Sequence, residues 1–178
     1  MGREVALMVG GDMFLHRETG VKNISLHDCT ATCIRLSDDE ITFVFPDGFW
    51  VWGDHDGIHL DDMVLTDAAE VTIKLYGNGA EDIYPYVFTS IGIDKDVRVF
   101  YDPERLVKEI NEGNWQLEFL YQYDGGPYLR FDCLLWFGEP YARGAYDKEC
   151  DLRFDVPQVP ESELITYSWN HYRPDAKW

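Results

Sequence analysis

The chain has 178 residues, enough to bury about two-thirds of its unfolded surface in one core, and its 46% hydrophobic and 15% aromatic content excludes a disordered chain. Asp and Glu number 33 against 15 Lys and Arg; the resulting charge of −18 disfavours nucleic-acid phosphates and anionic lipid headgroups and attracts basic surfaces. One β-rich domain spanning 1–178 is expected, with the aromatic tail after Trp169 only partly ordered.

Glu4 to Val9 reads as a short first strand ending at Gly10-Gly11. Without a GxGxxG or GxxxxGK pattern that glycine pair is a loop, not a phosphate cradle. The apolar run Val5–Val9 is too short for a signal peptide, and Ala6 stands where a myristoylation motif needs Ser or Thr, so a cytoplasmic protein is expected. His16 to Asn23 is a polar linker broken by Gly20.

From Ile24 to Trp52 the pattern predicts three consecutive antiparallel strands joined by two tight turns. Ile41, Phe43 and Phe45 alternate with Thr42 and Val44, and Pro46-Asp47-Gly48 then supplies the residues of a chain reversal, making Phe49–Trp52 the hairpin partner. Ser37-Asp38-Asp39-Glu40 is the polar turn before it. In the preceding strand Ile24 and Leu26 fall out of phase with Cys29, Ala31 and Cys33, which predicts a β-bulge or bend near His27-Asp28.

The run Leu26-His27-Asp28-Cys29, followed by Ile34, a turn and the alternating Ile41–Phe45, resembles the opening of small bacterial immunity-type domains encoded beside polymorphic toxins. The resemblance covers about a sixth of the chain. It implies a non-enzymatic, toxin-neutralising role.

Cys29 and Cys33, four apart on one strand, would be separated by roughly 13 Å, beyond the ~7 Å Cα limit for a disulfide. With Cys133 in another strand and Cys150 at a loop edge, four free thiols in a reducing compartment are expected. Gly53 to Asp62 is the most polar stretch of the chain, with His55, His59, Asp54, Asp56, Asp61 and Asp62. It reads as a solvated loop. His55 and His59 would share a face only on a helix, which Gly53 and Gly57 disfavour, and Asp54-x-Asp56-Gly57 lacks the later oxygens of a calcium loop, so no metal or other cofactor is expected.

Val71, Ile73 and Leu75 mark a strand with one wet face; Tyr84–Ile93 and Val97–Tyr101 form a pair around Asp94-Lys95-Asp96, with Pro85 placing the first at an edge or delaying its start. Asp102 as N-cap, Pro103 at the first helical position, an apolar stripe of Leu106, Val107 and Ile110, and Gly113 as stop predict the one helix, about 102–112. Trp115–Tyr123 and Tyr128–Phe137 form a long hairpin turning at Asp124-Gly125-Gly126-Pro127. Trp115, Leu117, Phe119, Tyr121 and Tyr123 are expected on its core face, with Glu118 in solvent. Leu152–Val156 and Leu164–Trp169 close the series.

These elements predict a mainly β protein, an antiparallel β-sandwich or barrel with one short helix. No nucleophile elbow, triad or distinguished carboxylate pair argues for an enzyme. A binding protein for a basic partner follows, with Asp38, Asp39, Asp54, Asp56, Asp61 and Asp62 as contact residues and neither nucleic acid nor membrane as partner. The competing reading is a small-ligand or carbohydrate-binding module with Trp50, Trp52, Trp115 or Trp136 as stacking platforms.

Overall fold

The computed structural model describes residues 14–20, 23–93, 95–124, 128–138 and 147–177; the strand expected at Glu4–Val9 and the glycines of the Asp124–Pro127 turn lie outside them. Pairing is antiparallel throughout and divides the strands among three sheets. Sheet I runs β1 (His16–Thr19), β14 (Ile165–Trp169), β8 (Ala69–Lys74), β5 (Glu40–Phe45), β4 (Cys33–Leu36). Sheet II runs β10 (Lys95–Phe100), β9 (Ile83–Gly92), β13 (Asp147–Asp155), β12 (Tyr128–Phe137), β11 (Trp115–Asp124), β3 (Cys29–Ala31). Sheet III runs β15 (Tyr172–Lys177), β7 (Ile58–Thr66), β6 (Trp50–His55), β2 (Ile24–Ser25). Each order has two ends, so the fold is a sandwich and not a closed barrel.

Aromatic side chains join Sheets I and II. Phe43 and Phe45 of β5 meet Phe119 of β11 edge-on at 5.2 and 5.3 Å between ring centroids, and Phe43 also meets Phe154 of β13. All four rings are buried. Sheet III adds Ile24, Val51 and Val64 to the same core. Among the described residues no helix is long and apolar enough to cross a membrane.

The out-of-phase segment at His27-Asp28 is a true corner with a larger consequence than a bulge. Cys29 N–H donates to the Leu26 carbonyl, Asp28 takes a φ of 59°, and β2, β3 and β4 are dealt to Sheets III, II and I in turn. Cys29 and Cys33 therefore sit in different sheets, not on one strand. Cys150 lies inside β13, directly opposite Cys133 of β12, rather than at a loop edge.

The hairpin expected across Pro46-Asp47-Gly48 does not form. The chain does reverse, with Gly48 N–H bonded to the Phe45 carbonyl, but β5 pairs with β4 and β8 while β6 leaves for Sheet III. Gly48 has φ 81° and its Cα lies so close to the Thr66 and Asp67 carbonyls that a Cβ would fall 2.4 Å from each. The turn is thus braced against the end of β7, and Thr66 exchanges bonds with Phe49, whose N–H reaches its hydroxyl at 3.0 Å.

Four further expectations are corrected. His16–Asn23 is not merely a linker, since β1 forms an edge of Sheet I, and the tail contains β15, paired with β7. Pro85 lies in a strand flanked on both sides, at the last rung beside β10: Tyr101 N–H still donates to the Pro85 carbonyl at 2.8 Å, and the proline lacks only the return N–H at the ladder's end. In β11 the register shifts between Phe119 and Tyr121, so Tyr121 and Tyr123 turn out to solvent while Glu118 is buried, accepting the Trp136 indole N–H at 2.6 Å.

Helix α1 (Pro103–Asn111) follows its sequence signals: the Asp102 carboxylate accepts from Glu104 N–H at 3.2 Å and Leu106 and Ile110 are buried. Its last residue, Asn111, bonds both the N–H and the carbonyl of Ile34 in edge strand β4, at 2.7 and 2.8 Å. The helix so covers an edge that would otherwise present unpaired backbone.

Candidate functional site

The polar stretch Gly53–Asp62 is a hairpin rather than a loop. Asp56 and Gly57, with φ 48° and 81°, form the two-residue turn joining β6 to β7, the left-handed pair that matches strand twist. Adjacent residues on a regular strand point to opposite faces. Asp61 and Asp62 are nevertheless both exposed, because β7 carries two extra residues between Leu60, opposite Gly53, and Val64, opposite Val51. That bulge turns two consecutive carboxylates outward.

His59 sits among them. Its Nδ1 lies 2.6 Å from Asp54 Oδ1 across the hairpin, and its Nε2 is 3.6 Å from Asp61 Oδ1. The hydrogen bond to Asp54, and behind it the Asp54 and Asp61 charges, raise the imidazole pKa above its usual 6.5. Asp56 faces His16 of β1 at 2.9 Å. Four of the six acids singled out from sequence thus share one hairpin. The other two do not join them: Asp38 and Asp39 lie in the β4–β5 turn, whose backbone is tied to Gly79 and Leu75. That turn precedes the Glu40–Lys74 end of Sheet I, whereas Asp56 contacts His16 beside Trp169 at the other end.

The two histidines of the hairpin diverge. His59 is exposed, while the His55 side chain is buried on the inner face, with Nδ1 2.8 Å from Glu18 Oε2 and Nε2 3.0 Å from the Trp52 carbonyl. Among the described residues no three of His, Cys, Asp and Glu are grouped as a metal ion would require. The burial of His55 was hidden because its partner, Glu18, is 37 residues away in a segment that reads as linker.

A second feature surrounds the Leu26–Cys29 corner. A cleft of about 360 Å³, where side chains of all three sheets meet, is lined by Ile24, Leu26, Met63, Phe119 and Tyr167, with His27 and Gln122 among its polar groups. His27 Nδ1 bonds the Leu120 carbonyl at 2.9 Å and its Nε2 is 3.6 Å from Asp28 Oδ1. The pair can approach because it sits on a corner, whereas neighbours along a regular strand would point to opposite faces. The Leu120 irregularity in β11 is where this corner docks, Asp28 N–H donating to the Phe119 carbonyl at 2.9 Å.

Of the four tryptophans named as stacking platforms, Trp115 is buried, while Trp50, Trp52 and Trp136 are half-buried, Trp50 packing against the core and Trp136 donating its indole N–H to Glu118. No protein-family model, curated protein or solved structure matches this chain.

Proposed function

We propose that this protein binds a basic protein partner through its acidic β6–β7 hairpin, without catalysis, as an immunity protein holds a toxin. The observation that carries this reading is the bulged display of acids: the Asp54 and Asp61 side chains are 83% and 95% exposed on a hairpin whose turn and register fix them outward. Elsewhere several carboxylates are already paired with arginines on the surface, as in Arg35–Glu70, Arg130–Asp132 and Arg153–Asp155. The −18 field therefore steers a cationic surface toward the hairpin, and Asp38 and Asp39 at the far end of Sheet I contribute at long range. Affinity capture from the host lysate, washed at low and then moderate salt, tests it. A single stoichiometric basic protein retained through both washes supports the reading, and a bait that retains none rejects it.

The cleft at the Leu26–Cys29 corner favours a second reading, a small apolar ligand held by Met63 and Phe119. Indole titration followed at the Met63 methyl signal tests it; an unmoved signal at millimolar indole removes it.

A further inference from the structure

Strand β10 ends Sheet II and pairs, among the described residues, with β9 alone. Every residue of β10 except Val97 is exposed. Pairing of β9 with β13 stops at Val87–Cys150, so among the described residues the outer half of the β9–β10 ribbon pairs with no third strand, and two-stranded ribbons are only marginally stable by themselves. The exposed large apolar side chains concentrate here: Ile91, Ile93, Val99 and Phe100 are 63%, 93%, 39% and 52% exposed. An open apolar edge of this kind is a template for another strand.

The charges on β10 say which strand. In Lys95-Asp96-Val97-Arg98-Val99-Phe100, a two-fold axis through Val97 places Asp96 opposite Arg98 of a second copy, twice, and Lys95 opposite Val99. Directly opposed residues of an antiparallel pair share a face, so the axis must pass through a residue: on Lys95, Asp96 or Arg98 it stacks like charges, and on Val99 or Phe100 it brings no two opposite charges of β10 together. Only the Val97 register makes the edge complementary to itself. Arg98 can serve it, since it lies over Tyr86 at 3.7 Å with its Nε 3.9 Å from Asp151 while the side chain stays 47% exposed.

From this we infer that two copies of the chain associate through antiparallel β10–β10 pairing centred on Val97, joining two copies of Sheet II into one continuous sheet. The −18 charge of each copy opposes the contact at low salt, so added salt strengthens association until the Asp96–Arg98 pairs are themselves screened.

Sedimentation velocity of the full chain over a concentration series tests the inference. The mass should rise from 20.7 kDa toward twice that value. Val99→Lys, which sets Lys opposite Lys95 in both halves, should raise the dissociation constant about tenfold, whereas Val99→Glu, facing the same Lys95, should not weaken it. Both changes fall on an exposed side chain and leave the fold intact, which circular dichroism checks. A chain monomeric at every concentration and salt, its edge left for a strand of another protein, overturns the inference; equal weakening by Lys and Glu overturns the register and with it the charge argument.

Discussion

His55 Nδ1 lies 2.8 Å from Glu18 Oε2, and this contact ties the end of β6 in Sheet III to β1 in Sheet I behind the acidic hairpin. On the other side of the ring Nε2 faces the Asn23 and Trp52 carbonyls at 3.2 and 3.0 Å. Every neighbour is an acceptor, so a hydrogen lies between Nδ1 and Oε2 while Nε2–H points at the carbonyls. The pair anchors the hairpin's inner face so that its outer face can carry Asp54, His59 and Asp61.

Glu18→Ala leaves a buried imidazole nitrogen unpaired and should cost about 2–3 kcal/mol. Urea unfolding should show a lower midpoint with an unchanged slope. A loss under ~0.5 kcal/mol, the range of ordinary surface substitutions, would mean the contact is not holding the sheets together.

Asn111→Ala removes two hydrogen bonds to Ile34 and uncovers both backbone groups of edge strand β4. A destabilisation of about 2 kcal/mol is expected. Asn111→Asp keeps the acceptor for Ile34 N–H but loses the donor for its carbonyl, so its midpoint should fall between wild type and alanine; an alanine variant as stable as wild type contradicts the edge-covering role.

Titration of the His59 ring protons by NMR should give a midpoint above 6.5, because the bond to Asp54 favours the charged ring. A pKa raised in the folded state means the interaction stabilises fully below 6.5 and its contribution is lost as pH climbs through the folded value. Asp54→Asn should move the midpoint down toward 6.5, and an unmoved midpoint would show that Asp54 does not set it.

Thiol reactivity distinguishes the four cysteines. Burial pushes the Cys29 and Cys150 thiols up to about 12 and Cys133 well above its usual value, leaving little nucleophilic thiolate at neutral pH. Cys33 alone is half-exposed. Iodoacetamide should label Cys33 in the native protein and all four in denaturant; native labelling of Cys133 would indicate that the β12–β13 core opens.

What the sequence made legible was local. The Asp102-Pro103 start of α1, the period of β5 and the β11–β12 hairpin each depend on residues close in the chain, and each stands in the structure. Sheet membership is non-local. Pro46-Asp47-Gly48 specifies a reversal but not that Gly48 abuts Thr66, which sends β6 into another sheet. The Leu120 bulge, which turns Tyr121 and Tyr123 outward, answers to docking of His27 and Asp28, more than ninety residues earlier. Of the candidate site, its acidity was legible; the β7 bulge that exposes Asp61 and Asp62 together, and the burial of His55, were not.

The most direct test of the acidic-hairpin account compares three baits in one lysate: wild type, Asp54→Lys/Asp61→Lys/Asp62→Lys, and Asp38→Lys/Asp39→Lys. The account predicts a basic protein retained by wild type, lost from the hairpin variant and kept, with slower association, by the turn variant. Equal retention by the hairpin variant, folded by circular dichroism, would contradict the account.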